Sequence, residues 1–269
     1  MLKNSFELDD KTLHLLSTNG VRASILSQRL KNDLDYYLEL WHSQGLNIVK
    51  HFSNYYFSTK FTKIEDETFC IVDIETNGSK IEKHQIIEIA ALKIKNGKII
   101  GRFDSFVKCD EINEHITQIT GISTEETKDA PALKKVLYDF KLFLGDAIFV
   151  AHDVKFDYIF ISQSLQKIGL PPLLNRSLCS ISLAERTIES YRYALSYLNK
   201  LLDLHPEATH HRAMSDVMTT YELFKISLSR LSDEVKTTED IITFVKKAER
   251  LKRPKFDPFL FVEEEKAQG

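Results

Sequence analysis

Four apolar residues in a row, Phe69-Cys70-Ile71-Val72, run directly into Asp73-Ile74-Glu75. A half-exposed strand would alternate apolar and polar residues, whereas an unbroken run is what a strand covered on both faces requires. Such a strand needs a layer above it and a layer below it, which points to an α/β fold with helices on each side of a sheet. Strand side chains repeat every second residue, so Asp73 and Glu75 project to the same side. Two carboxylates at ~4 Å repel by about 4 kcal/mol at an effective dielectric near 20, so a close pair calls for cations, a proton or solvent. The D-x-E spacing alone arises by chance about once in a chain of this length, and a solvated strand end is the plain alternative. Its place at the end of a buried strand is what gives it weight.

The surrounding sequence supplies the rest of such a sheet. Gln85–Lys95 and Lys98–Lys108 read as strands, and Asn96-Gly97 between them is a strong two-residue hairpin signal. Ser123 with Glu126 forms a capping-box pair. Pro131 marks the first turn of a helix that runs to about Leu144, before Gly145. Ala147–Ala151 is a second buried strand, and helices are predicted over Phe156–Ile168, Ile181–Arg186, Ala194–Leu202 and Ala213–Leu231. Strands in a hairpin followed by strands mixed with helices predict a mixed sheet flanked by helices.

Two further acids sit where core elements begin. Asp157 lies in Ala151-His152-Asp153-Val154-Lys155-Phe156-Asp157, just past the second buried strand, and Asp216 follows His211-Arg212-Ala213-Met214-Ser215 at the head of a long amphipathic helix. An acid in a first helical turn is common for macrodipole reasons alone, and a lone histidine there is often a surface residue or cap. The ordered set is more pointed. Carboxylate oxygens are the ligands that Mg²⁺ or Mn²⁺ prefers. Two such ions about 3.5–4 Å apart stabilise the attacking and leaving oxygens of a phosphodiester. An imidazole, which titrates near neutral pH, takes the proton of an attacking water.

On these residues the chain resembles the DEDDh exonucleases, the family that includes the epsilon (DnaQ-like) proofreading subunit of bacterial DNA polymerase III. Phe69–Gly78, Ala151–Phe160 and His211–Asp216 match its three motifs, with weaker similarity at Ile116–Ile122 and Tyr193–Leu204. The resemblance covers about Thr68 to Leu231 and implies an RNase H-like mixed sheet, two divalent cations and release of nucleoside 5′-monophosphates from 3′ ends. It implies that Asp73 bridges both ions, that Glu75, Asp157 and Asp216 complete the coordination, and that His211 is the general base. His210 fits less well, because the family leaves four residues between histidine and aspartate. Thr76 and Asn77 would lie against the terminal nucleotide, with Phe156 as a wall beside it. Asp153 departs from the family, which often has asparagine there.

The flanks complete a four-part organisation. Residues 1–62 read as three helices and a strand pair, Asn47–Phe52 and Tyr55–Phe61, in the outline of a small winged-helix-like α+β module. Residues 63–67, in the charged run Lys63–Thr68, form a linker; residues 68–232 are the nuclease domain; residues 233–269 are a C-terminal helix with a basic and aromatic tail. Groove reading by the first module is disfavoured by Asp33, Asp35 and Glu39 on its candidate recognition helix, so packing or protein docking is the preferred role. Lys246–Lys255 carries six basic residues against Glu249; the aromatics Phe256, Phe259 and Phe261 either fold back on the catalytic domain or form a peptide for a DNA polymerase or sliding clamp.

A net charge of −3 fits an enzyme gripping a chain end (single-stranded or frayed, DNA favoured) better than a protein that coats duplex. Three widely spaced cysteines give neither a zinc site nor a disulfide framework. No signal peptide or membrane span is seen, and a soluble cytoplasmic protein is expected. DNA 3′-end trimming in proofreading or repair is the first reading. RNA 3′-end trimming, and a binding module with a spent nuclease domain, are its rivals.

Overall fold

The computed structural model describes residues 21–22, 40–42, 45–51, 54–208 and 211–260. A five-stranded sheet forms the body, in the order β6-β5-β4-β7-β8. Its strands are β4 (Thr68–Thr76), β5 (Ile86–Lys95), β6 (Lys98–Phe106), β7 (Ile148–Ala151) and β8 (Ser177–Cys179). The first three form an antiparallel meander, while β7 and β8 run parallel to β4. The β5–β6 hairpin turns at Asn96 (φ 49°) and Gly97 (φ 65°), the two positive φ angles that a tight turn of matching twist demands.

Both faces of β4 are covered, as its apolar run requires. Cys70, Val72 and Ile74 pack under α3 (Leu133–Leu144) and α4 (Val154–Lys167), with Phe140, Phe149 and Ile161 fully buried around them. Phe69 and Ile71 face α7 (Ala213–Ser229) and α8 (Thr238–Lys247), against Val217, Phe224 and Ile241. In chain order α1 (Glu114–Thr120) and α2 (Thr124–Thr127) come before α3, while α5 (Ser180–Thr187) and α6 (Leu195–Leu202) come before α7 and pack with it around Ala184, Leu198 and Leu223. The Ser123–Glu126 capping box opens α2 as expected. Pro131 sits one residue outside the N-cap of α3 rather than in its first turn.

The helical part of the winged-helix expectation lies largely outside the described residues; residues 40–42 are helical, with Trp41 buried. What is described is a three-stranded antiparallel sheet of β1 (Val21–Arg22), β3 (Asn54–Phe57) and β2 (Ile48–His51). The predicted strand over Tyr55–Phe61 stops at Phe57 and turns into a 3₁₀ segment, Ser58–Lys60, because buried Thr59 donates to Glu239 Oε2 at 2.6 Å. Arg176 donates to both oxygens of Glu239, at 2.5 and 2.6 Å, and its guanidinium lies 4.4 Å over the Phe57 ring. Asn47 Nδ2 donates to Asp146 Oδ2 at 3.0 Å. Gly45 approaches so closely that a Cβ there would lie 2.3 Å from Asn175 Oδ1. Asp146 lies two residues before β7 and Arg176 one residue before β8, so this small sheet docks at the N-terminal ends of the parallel strands.

The segment expected as a linker is bound in place. Ile64–Asp66 is a 3₁₀ turn, Ile64 N–H donates to Lys236 O, and Thr238 N–H donates to Thr62 O. Beyond α8, residues 248–260 fold back over α5 and α6. Glu185 takes ion pairs from Arg250 (3.0 Å) and Arg253 (3.4 Å), Tyr197 donates to Asp257 at 2.7 Å, and Phe259 meets the Tyr197 ring edge-on. Residues 261–269 lie outside the described residues.

The Thr59–Glu239–Arg176 node ties a carboxylate of α8 to the small sheet and to the start of β8. Glu239→Ala should lower unfolding free energy by on the order of 3 kcal/mol by stranding Arg176, read from urea denaturation followed by circular dichroism. A loss near zero would show that the node does not hold the two sheets together.

Candidate active site

Chain geometry brings the acids to one end of the sheet. β7 stops at Ala151, its parallel pairing with β4 ending at Ile71–Val150, while β4 runs on to Thr76. The protruding end of β4 carries Asp73 and Glu75 on the α7 face, with Phe69 and Ile71 below them in the same period-two row. The Ile74 N–H has no strand partner on the β7 side, and the carboxylate of Asp157 accepts from it. Asp157 lies in the first turn of α4, which starts after a tight reversal at Asp153 (φ 76°).

The last two residues come from α7. Asp216 lies in its first turn, and His211 precedes the helix in a left-handed conformation (φ 64°), its N–H donating to Asp216 Oδ2 at 3.2 Å. Ligand atoms of Glu75, His211 and Asp216 all fall within 4.8 Å of one another. The charges of Asp157, Asp216 and Glu75 are all felt at Asp73. The five residues singled out in the sequence therefore converge. His210 lies outside the described residues.

Electrostatics in this recess is unfavourable for bare acids. Burial first, then the surrounding carboxylates, push Asp73 well above the ordinary carboxylate range. Burial also raises Asp157, against the lowering effect of the backbone N–H groups it accepts from. Burial, with Asp216 and Glu88, lifts Glu75 to about 8. A set of hard oxygen donors in mutual repulsion is what a divalent cation relieves, so the residues present fit such an ion.

Two neighbours were not singled out by sequence. Glu88 on β5 is directly opposite Glu75 in the antiparallel register and is buried. Its signal was a charged residue inside the otherwise apolar run Ile86–Leu92, on the face shared with Ala90 and Leu92. His152 is the other. Its Nε2 lies 2.9 Å from the Tyr193 carbonyl, so that nitrogen carries the proton, and Nδ1 accepts from Ser180 Oγ at 2.9 Å. Burial drops its pKa to about 4, which makes it a neutral strut between the end of β7 and α5.

The residues expected beside a nucleotide divide. Phe156 is 39% exposed at the start of α4, resting on Phe160. Thr76 lies just past a register shift at which β5 carries one extra residue, Ile87, opposite the Glu75–Thr76 step, the kind of irregularity that re-aims a strand end. The side chain of Asn77 is engaged inside the protein: its Oδ1 accepts from Gln85 N–H at 2.8 Å, and its Nδ2 donates to Glu111 O at 3.2 Å. It braces the loop after β6.

Comparison with known proteins agrees with this geometry. The family model described as Exonuclease matches residues 70–224. The chain is 36% identical over 164 residues to the PolC-type DNA polymerase III of Staphylococcus haemolyticus (strain JCSC1435), covering 60% of this chain and 11% of that protein. The PolC-type polymerase of Staphylococcus aureus (strain bovine RF122 / ET3-1) matches to the same extent. The chain thus spans only about a tenth of the length of these curated relatives. Among solved structures, exonuclease X in complex with 5′ overhanging duplex DNA superposes with a TM-score of 0.51 at 25% identity, covering 64% of this chain and 99% of that one. E. coli exonuclease I in complex with a dA16 oligonucleotide shares the fold, with a TM-score of 0.56 at 18% identity over 61% of this chain and 41% of that one. The chain belongs to the exonuclease family. Divalent metal ions are general to that family.

A pH dependence follows from Glu75. Its folded pKa of about 8 lies above the ordinary 4.5, so between those values the folded state holds more protons and stability falls as pH rises. His152 works in the opposite sense, but only below about 6.5. In chelator, raising pH from 6.5 to 8 should therefore cost about 2 kcal/mol at ~1.4 kcal/mol per unit. Mg²⁺ or Mn²⁺ should remove the slope, and Glu75→Gln should make it shallower without metal, with the raised Asp73 and Asp157 still acting in the same sense. A metal-free melt that is flat over this range would contradict the raised pKa.

Proposed function

We propose that the protein is a DNA-directed 3′→5′ exonuclease that removes nucleoside 5′-monophosphates one at a time, in proofreading or repair. The observation that carries this reading is the convergence of Glu75, His211 and Asp216 within 4.8 Å of one another, beside Asp73 and Asp157. The choice of DNA is supported by the polymerases it resembles at 36% identity and by the duplex DNA bound to exonuclease X.

In this reading Asp73, Glu75, Asp157 and Asp216 hold two divalent cations, Mg²⁺ or Mn²⁺. When bound, these supply the positive charge that offsets the developing charge on the phosphodiester oxygens. The protein's own part is placement and proton transfer. His211, exposed and beside Glu75 and Asp216, accepts the proton of the attacking water at an imidazole nitrogen. It sits in a left-handed turn just before the helix that carries Asp216, to whose carboxylate its backbone N–H donates. Phe156 offers an exposed ring to the terminal base, and Thr76 borders the same end of β4. Asn77 acts at one remove, by holding the 109–111 loop. Nothing in the set requires a covalent intermediate.

The decisive experiment uses 5′-labelled single-stranded DNA, mismatched duplex and RNA of one sequence, with and without Mg²⁺ or Mn²⁺. Stepwise shortening from the 3′ end of DNA is expected, lost with chelator and in Asp73→Ala. His211→Ala should reduce the rate by about 10²–10⁴-fold while still binding metal. Metal-dependent trimming of RNA with none of DNA would reverse the substrate assignment.

A further inference from the structure

Building on the exonuclease reading, we propose that Glu88 and Arg212 form a positioning clamp that fixes the His211–Asp216 turn against the strand bearing Glu75. Glu88 receives three hydrogen bonds from the start of α7. Arg212 Nη2 donates to Oε1 at 3.1 Å, Arg212 Nε to Oε2 at 3.4 Å, and the backbone N–H of Ala213 to Oε2 at 3.0 Å. The guanidinium also lies 5.2 Å over the ring of Phe106, the residue paired with Glu88 on β6.

Arg212 is the N-cap residue of α7 and gives that helix no side-chain cap of its own. Glu88, 125 residues away, satisfies the first helical N–H instead. A serine at position 212 would cap the helix locally without placing another acid beside a repelling cluster. Glu88 is electrostatically costly where it stands: it pushes both Asp73 and Glu75 upward, and Arg212 counteracts it at Glu75. What this arrangement adds is registry. Glu88 is opposite Glu75 on adjoining strands, so the clamp places Glu75, His211 and Asp216 in one rigid frame.

The clamp predicts coupled, turnover-specific losses. In Glu88→Gln and in Arg212→Met, kcat on a single-stranded oligonucleotide should fall about 10- to 100-fold, with KM within about twofold. The double variant should be no slower than the worse single one, because each residue acts through the other. By NMR, Ala213 amide exchange in Glu88→Gln should be at least tenfold faster, with β4 amides protected as in the wild type. Arg212→Lys keeps the charge but loses the two-pronged contact, and should be intermediate in rate with an unchanged melting temperature. Unchanged kcat in Glu88→Gln, multiplicative losses in the double variant, a full-rate Arg212→Lys or an unaffected Ala213 amide would each overturn the clamp. The amide measurement needs no substrate. A wild type inert on DNA would remove the substrate reading while leaving the clamp to be decided by exchange.

Discussion

Glu75 and Glu88 face each other across an antiparallel pair with Asp73 one step along, and this like-charge contact sets the terms for everything near it. Two carboxylates at ~5 Å repel by about 3 kcal/mol at an effective dielectric near 20. The N-termini of α4 and α7 both point at the cluster, but a helix end returns only about 0.3–1 kcal/mol per charge. Arg212 offers a full charge in two-pronged contact with Glu88, and it offsets one acid of five. The remaining four must be balanced by protons or by cations. That arithmetic, more than any one motif, is why the residues of this recess suit a divalent ion.

The apolar scaffold is what tolerates the strain. β4 is buried on both faces along Phe69–Ile74, and pulling it out would expose two cores at once. The acids are confined to the last residues of that strand and to the first turns of two helices packed on it. Docking of the small N-terminal sheet is directed to the opposite end, at Asp146, Asn175 and Arg176. A nine-residue β4 separates the two ends by roughly 30 Å at 3.3 Å per residue. The described N-terminal sheet therefore packs at the end of the fold away from the acids.

Much of this was legible because it rests on local periodicity. The apolar run announced a central strand, its period of two put Asp73 and Glu75 on one side, and Asn96-Gly97 fixed the hairpin. β8 escaped because three residues carry no period. α1 escaped because its seven residues, Glu114–Thr120, bury only Thr120 and show no continuous apolar stripe. The capping box of α8, Thr237 with Asp240, was equally readable but sat in a stretch dominated by its basic residues. Glu88 shows a deeper limit: its partners lie 124 and 125 positions away, and only the fold brings them together. Asn77 shows the converse. Its position near the site was legible, but the contacts that occupy its amide come from Gln85 and Glu111, on other segments.

His211 shows how the fold finishes what the motif starts. A left-handed backbone at a residue with a side chain costs about 1–3 kcal/mol and persists only where its surroundings over-determine it. Here they do so from three directions: His211 N–H reaches Asp216, Asp216 N–H reaches Arg212 O at 3.0 Å, and Ala213 N–H reaches Glu88. In the proposed reaction a turn held this way would enter already shaped, leaving little reorganisation for the arrival of a water molecule and a phosphodiester. The spacing between histidine and aspartate is then a consequence of geometry. Four intervening residues allow one reversal plus the first part of a helical turn, which returns the imidazole to the carboxylate beside which it must stand.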